Sequence, residues 1–185
     1  MEKPPPRPMS REEFRRWLAG QTGERRYERV AGEPVAMAPE RVAHARLKAR
    51  MWRALDDALR AAGADCEALP DGVTVEIGED TDYEPDAVVD CGDRLPGDAV
   101  AATNPVIVVE VLSPGTRGVD TGAKLTDYFR VPSIRHYLIV RTDRKSVVHY
   151  RRAEGGGVSA QFHQGGVLDL DPPGIRLDLD AVYGA

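Results

Sequence analysis

At 185 residues the chain is long enough for one domain with a full core and too short for two such domains to fit without crowding. A 42% hydrophobic and 30% charged composition is that of an ordinary soluble globular protein. The net charge of −5 excludes a polycation that would coat nucleic acid indiscriminately, and no apolar run reaches the length of a membrane span. The leading segment Met1–Pro8 is proline-rich and charged, without a secretory apolar run, so a cytoplasmic protein is expected. Two isolated cysteines, Cys66 and Cys91, are too few for a disulfide framework or a zinc site and are expected to be reduced.

Residues 1–9 are expected to be a disordered lead-in to a single domain spanning 10–185. Ser10 and Glu13 have capping-box spacing, which predicts a short helix from Arg11 to about Ala19. Arg26–Val30 and Glu33–Ala38 flank Ala31-Gly32, the pattern of a two-residue hairpin. Pro39 opens a long helix to about Ala62, stopped by Gly63, with Leu47, Met51, Leu55, Ala58 and Leu59 along one face. Three strand-like runs follow: Val73–Ile77, Asp86–Asp90 and Pro105–Leu112. The last two are almost wholly apolar, as in strands covered on both faces. A helix near Val119–Arg130 leads to another apolar strand, Ile134–Arg141. A meander of Val147–Arg151, Val158–Phe162 and Val167–Leu170 comes next, and Pro172-Pro173-Gly174 introduces a short strand and a turn of helix. No repeat or interdomain linker interrupts this order. The fold class is α/β, more closely an α+β mixed sheet: helix, three strands, helix, strand, with an N-terminal hairpin and a C-terminal β meander.

Glu110 is the most informative single residue, because it sits inside Val106-Ile107-Val108-Val109-Glu110-Val111-Leu112. Alternation points it to the face of Val108 and Leu112. A carboxylate there must be paired, protonated or metal-bound, since burying a lone charge is costly. Asp86 enters the neighbouring apolar run Ala87-Val88-Val89. By itself it reads first as a strand-entry Asp satisfied by backbone N–H groups. Two carboxylates at one level of adjacent strands repel unless a cation lies between them, and Mg2+ suits oxygen ligands while keeping waters for chemistry.

Lys124, on the following helix, can stabilise charge that builds during attack on a phosphodiester, or can form an exposed i,i+4 pair with Asp120. His44, on the apolar face of the long helix, reads as a packed or partly buried core histidine or as a site residue. Glu33 is a third acid or a surface residue, and Tyr128 either completes the core with Leu125 and Phe129 or reaches the site. Ser113–Thr116 at a helix entrance could offer N–H groups to a phosphate, though without a Gly-x-x-x-x-Gly-Lys pattern capping is the better account. The Leu-Asp alternation at 168–171 and 177–180 reads as solvated edge strands.

Pro85-Asp86, then Val109-Glu110-Val111-Leu112-Ser113-Pro114, then Lys124 and Tyr128, resembles the PD-(D/E)xK nuclease superfamily. Within it the chain is similar to the bacterial Uma-two family of restriction-endonuclease-like proteins. The resemblance runs from Tyr27 to the C-terminus and includes Tyr27-Glu28, Gly32-Glu33 and the helix of His44. It is most specific over Glu110–Asp127. It implies Asp86 and Glu110 as metal ligands, with Glu33 an additional acid, and Mg2+ (alternatively Mn2+) as the ion. It also implies a nucleic-acid substrate, DNA in the first instance, and a homodimer able to address two strands. The superfamily lysine expected two residues after the glutamate is Leu112 here, and the resemblance passes its role to Lys124. That departure leaves open a module of the same fold that binds nucleic acid or protein without cutting.

Overall fold

The computed structural model describes residues 7–23, 25–112 and 121–184. The first helix, α1 (Arg11–Ala19), starts at the Ser10–Glu13 capping box that its sequence predicts. Its Phe14 and Trp17 form a small cluster with Met9, which is buried and donates its N–H to the Gly32 carbonyl. Met9 belongs to the fold because an apolar side chain and a backbone donor both find partners there.

The hairpin β1 (Tyr27–Val30) and β2 (Glu33–Ala36) turns at Ala31 and Gly32, both at positive φ, as a two-residue turn of this kind requires. It belongs to a four-stranded sheet, ordered β2-β1-β5-β4, with β4 (Val75–Ile77) and β5 (Thr81–Tyr83). Arg29 is fully buried in this sheet, where Asp82 accepts from its Nε at 2.6 Å and from Arg11 Nε at 2.8 Å. The backbone carbonyls of Met9 and Glu79 satisfy its remaining donors. This pairing ties α1 to the sheet.

The second sheet has six strands in the order β10-β9-β8-β7-β6-β3. Here β3 is Glu67–Pro70, β6 Ala87–Asp90, β7 Pro105–Leu112, β8 His136–Arg141, β9 Val147–Arg152 and β10 Val158–His163. The long helix α2 (Val42–Ala62) packs Leu47, Met51, Leu55 and Leu59 onto one face, against Ala87, Val89, Ile107, Val109 and Val111. It begins at Val42, with Arg41 as its N-cap, rather than at Pro39, and Gly63 caps its end in the left-handed region. A ribbon of β11 (Val167–Leu170) and β12 (Ile175–Asp178), with α4 (Leu179–Tyr183), covers the rest of that face through Leu168, Leu170, Ile175, Leu177 and Leu179. The other face takes α3 (Thr121–Tyr128), whose Tyr128 packs with Val88, Val108, Tyr137 and Ile139. Val75, Ile77 and Tyr83 of the small sheet join the same cluster. β7 and β8 are parallel, with α3 as their crossover.

The expected order of helix, three strands, helix and strand is present as α2, β3, β6, β7, α3 and β8, with two corrections. The run Val73–Ile77 does not enter the central sheet; its strand, β4, pairs with β5, and Glu67–Pro70 takes the place beside β6. The meander stops at β10, because β11 pairs only with β12. In both cases partner choice is long-range, which strand propensity does not encode. The cysteines are likewise corrected. Glu67 faces Asp90 across an antiparallel pair, so Cys66 and Cys91 fall opposite each other, 4.2 Å apart at Cα, and form a disulfide. Among the described residues no helix is long and apolar enough to cross a membrane.

Candidate active site

Asp86 stands one residue before β6. Since Ala87 faces Val109, Asp86 falls opposite Glu110. Its backbone N–H donates to the Val109 carbonyl at 3.0 Å, and its Oδ2 accepts from the Val111 N–H at 2.6 Å. The carboxylate thus continues the ladder where the strand has not yet begun, and this holds it in place. The same Oδ2 lies 3.1 Å from His44 Nε2 on α2. His44 is half-buried rather than packed in the core. The hydrogen bond to Asp86 raises its pKa; burial opposes that shift and the Asp86 charge adds to it.

Glu40, His44 and Asp86 each offer a ligand atom, and the three atoms lie within 4.8 Å of one another. Opposite ligands around an ion at about 2.1 Å stand roughly 4.2 Å apart, so two carboxylates and one imidazole at this spacing fit a divalent cation with small side-chain adjustments. Lys48, one turn beyond His44, borders the cluster. Its Nζ donates to Asp71 at 2.8 Å and to Glu40, and lies 3.9 Å from Asp86 Oδ1.

Glu110 faces the α3 side. Its Oε1 accepts from Lys124 Nζ at 3.0 Å and from the Tyr128 hydroxyl at 2.7 Å. Lys124 also donates to Glu28 Oε1 at 2.9 Å and sits 4.8 Å above the Tyr83 ring. Glu28, on β1, accepts in turn from the Glu84 N–H. All of these groups are buried, so the exposed-face reading of Lys124 is overturned; Asp120, its expected partner there, lies outside the described residues. Burial raises the Glu110 carboxyl to about 7. The ammonium of Lys124 opposes the rise, the charges of Asp86 and Glu28 add to it, and the Tyr128 hydrogen bond works against it.

The structure therefore brings Asp86, Glu110, Lys124, Tyr128 and His44 into one region where α2, β6, β7 and α3 meet. Glu33 does not join them: it is exposed at the hairpin turn and, among the described residues, bonds to none of these groups. The acid the hairpin supplies is Glu28, two pairs along β1. Sequence reading also passed over Glu40, Lys48 and Asp71. The four-residue spacing of His44 and Lys48 was a usable signal, since it aligns them on one side of α2, with Glu40 just ahead of the helix start. Ser113–Thr116 lies outside the described residues.

Comparison with known proteins identifies the family. The model of the Uma2 (Uma-two) family, described as "Putative restriction endonuclease", matches residues 11–180. The chain belongs to the Uma2 family. An uncharacterized protein of Synechocystis sp. is 27% identical over 177 residues, covering 95% of this chain and 91% of that protein. The fold is shared with a crystal structure from Anabaena variabilis, described as a "putative nuclease belonging to DUF820". The TM-score is 0.72 at 15% identity, over 96% of this chain and 98% of that one. The Uma2 family is restriction-endonuclease-like, and the α+β architecture described above is shared with that Anabaena structure.

Proposed function

We propose that this Uma2 family member hydrolyses phosphodiester bonds in DNA with a divalent ion held at Asp86. The observation that carries the reading is the position of Asp86: its carboxylate is grouped with Glu40 and His44 on one side and faces the Glu110–Lys124 pair on the other. Asp86, Glu40 and His44 would hold the ion, with Glu110 the adjoining acid. Mg2+ is the ion the resemblance implies, while the imidazole nitrogen favours Mn2+. When bound, such an ion polarises the phosphoryl oxygen and makes a water molecule more acidic. The protein's own contribution is positional. The Val111 N–H orients the Asp86 carboxylate, and Tyr128 with Lys124 orients that of Glu110. Lys124 supplies a fixed positive charge against the negative charge that builds at phosphorus. A homodimer would bring two such sites to two strands.

The test is plasmid nicking and cleavage with Mg2+, Mn2+ or EDTA, with Asp86→Asn, Glu110→Gln and Lys124→Ala beside the wild type. Metal-dependent cutting that each variant reduces 100-fold or more is expected, on the order of the loss of one charged group. A wild type no faster than its variants on DNA and RNA alike would sink the proposal.

A second reading, a binding module of the same fold without catalysis, has its own support. Leu112 stands where the superfamily carries a lysine, and Glu28 and Glu110 enclose Lys124. Calorimetry separates the two, because a module without a metal site shows no Asp86-dependent heat with Mg2+ or Mn2+.

A further inference from the structure

A strand at the edge of a sheet offers a row of unpaired backbone groups, and proteins ordinarily blunt such edges with proline or charge. The described edges here mostly follow that rule. β2 carries Glu33 and Pro34, β3 carries Glu67 and Pro70, and β4 carries Glu76. The ribbon of β11 and β12 carries Asp169, Arg176 and Asp178. The outer edge of the six-stranded sheet is the exception. β10, Val158-Ser159-Ala160-Gln161-Phe162-His163, contains no proline, acid, lysine or arginine, although 30% of the chain is charged.

β10 is also exposed along nearly its whole length. Phe162 is 78% exposed, the most of any large apolar side chain among the described residues, and Val158 is 44% exposed. Pairing with β9 sets Val158 opposite Arg152, Ala160 opposite Tyr150 and Phe162 opposite Val148. Val158, Ala160 and Phe162 therefore share one face, on which Tyr150 stacks against Tyr137. The apolar surface of the core thus runs outward to this edge through Tyr150 and Val148, with Arg152 beside Val158.

The strand is complementary to itself. When a second β10 is laid antiparallel about a two-fold axis at Ala160, Val158 of each copy faces Phe162 of the other. Ser159 then faces Gln161, and Ala160 faces Ala160. An aromatic against a β-branched residue is a favourable cross-strand pair, two small side chains let the backbones close at the axis, and no like charges meet. We propose that two copies of this chain pair through β10 in this register, joining their six-stranded sheets into one continuous sheet. The inference takes up the homodimer of the preceding reading and assigns its interface; it does not depend on whether the site cuts. Six residues of strand bury less than the roughly 800 Å² per partner of a tight complex, so the dimer dissociates on dilution.

Sedimentation of the full chain between about 1 µM and 500 µM tests the assignment. A monomer–dimer equilibrium is expected, weakened roughly tenfold or more by Ala160→Lys or by Ala160→Glu, each of which sets like charges face to face at the axis. Because position 160 is exposed, circular dichroism should match the wild type. Mixing the two variants should restore a dimer, which native mass spectrometry identifies as one copy of each. A wild type that is monomeric throughout, or that associates open-endedly, overturns the dimer and its interface together. A dimer indifferent to both substitutions, or variants that fail to recombine, overturns the interface alone. Neither result bears on the cleavage assays.

Discussion

Replacing Lys124 by methionine isolates what the buried charges at Glu110 cost and return. The substitution keeps the length of the side chain and removes the ammonium shared by Glu28 and Glu110. Breaking a buried ion pair by deleting one member costs about 3–5 kcal/mol when the remaining charge stays uncompensated. Glu110 has a way to limit that cost, because burial already lifts its carboxyl to about 7, and the variant loses the cation that restrained it. The sign follows from linkage: the folded value lies above the unfolded one, so the folded state binds more protons between them. Stability is fully present below the unfolded value and falls as pH rises toward the folded one, by up to about 1.4 kcal/mol per unit. The variant is therefore expected to lose about 1–2 kcal/mol near pH 5.5 and about 1.4 kcal/mol more near pH 8, since the two proteins diverge only above the wild-type value of about 7, measured by urea denaturation in EDTA. Adding Glu110→Gln should recover at least half of the loss at pH 8 and flatten the pH dependence. Equal losses at both pH values, or strict additivity of the two substitutions, would refute the coupling.

Three further outcomes are expected. Reduction of the Cys66–Cys91 disulfide, which closes a separation of 25 residues, should lower stability by about 3 kcal/mol, with Cys66→Ser/Cys91→Ser insensitive to reductant in the same denaturation assay. His136 donates from Nε2 to the Pro172 carbonyl and accepts at Nδ1 from His149, and burial holds both imidazoles down at about 4. Their folded values lie below the unfolded one, so stability is present above about 6.5 and is lost as pH falls toward 4, on the order of 3 kcal/mol for each imidazole. That slope opposes the one from Glu110, and thermal melts in a Glu110→Gln background should reveal it. Finally, His44→Ala should weaken Mn2+ binding roughly tenfold while changing Mg2+ binding much less, because the lost donor is a nitrogen; equal losses by calorimetry would place His44 outside the ion's ligands.

Local patterns in the chain determined a good deal by themselves. The capping box of Ser10 and Glu13, the Ala31-Gly32 turn, the apolar stripe of α2 and the buried runs of β6 and β7 all depend on neighbours a few residues apart, and each is where its pattern placed it. Glu110 was legible for the same reason: one acid in an apolar strand must have a partner. What that partner is depended on long-range register, and there the tertiary structure decided. It set Asp86 opposite Glu110, brought Glu28 from the hairpin to Lys124 in place of Glu33, and turned α2 so that Glu40 and His44 meet Asp86. It also paired Cys66 with Cys91 and sent Val75–Ile77 to the smaller sheet. None of these contacts lies within one element. A strand's propensity says that it will pair, whereas its partner follows from which faces the whole chain can bury at once.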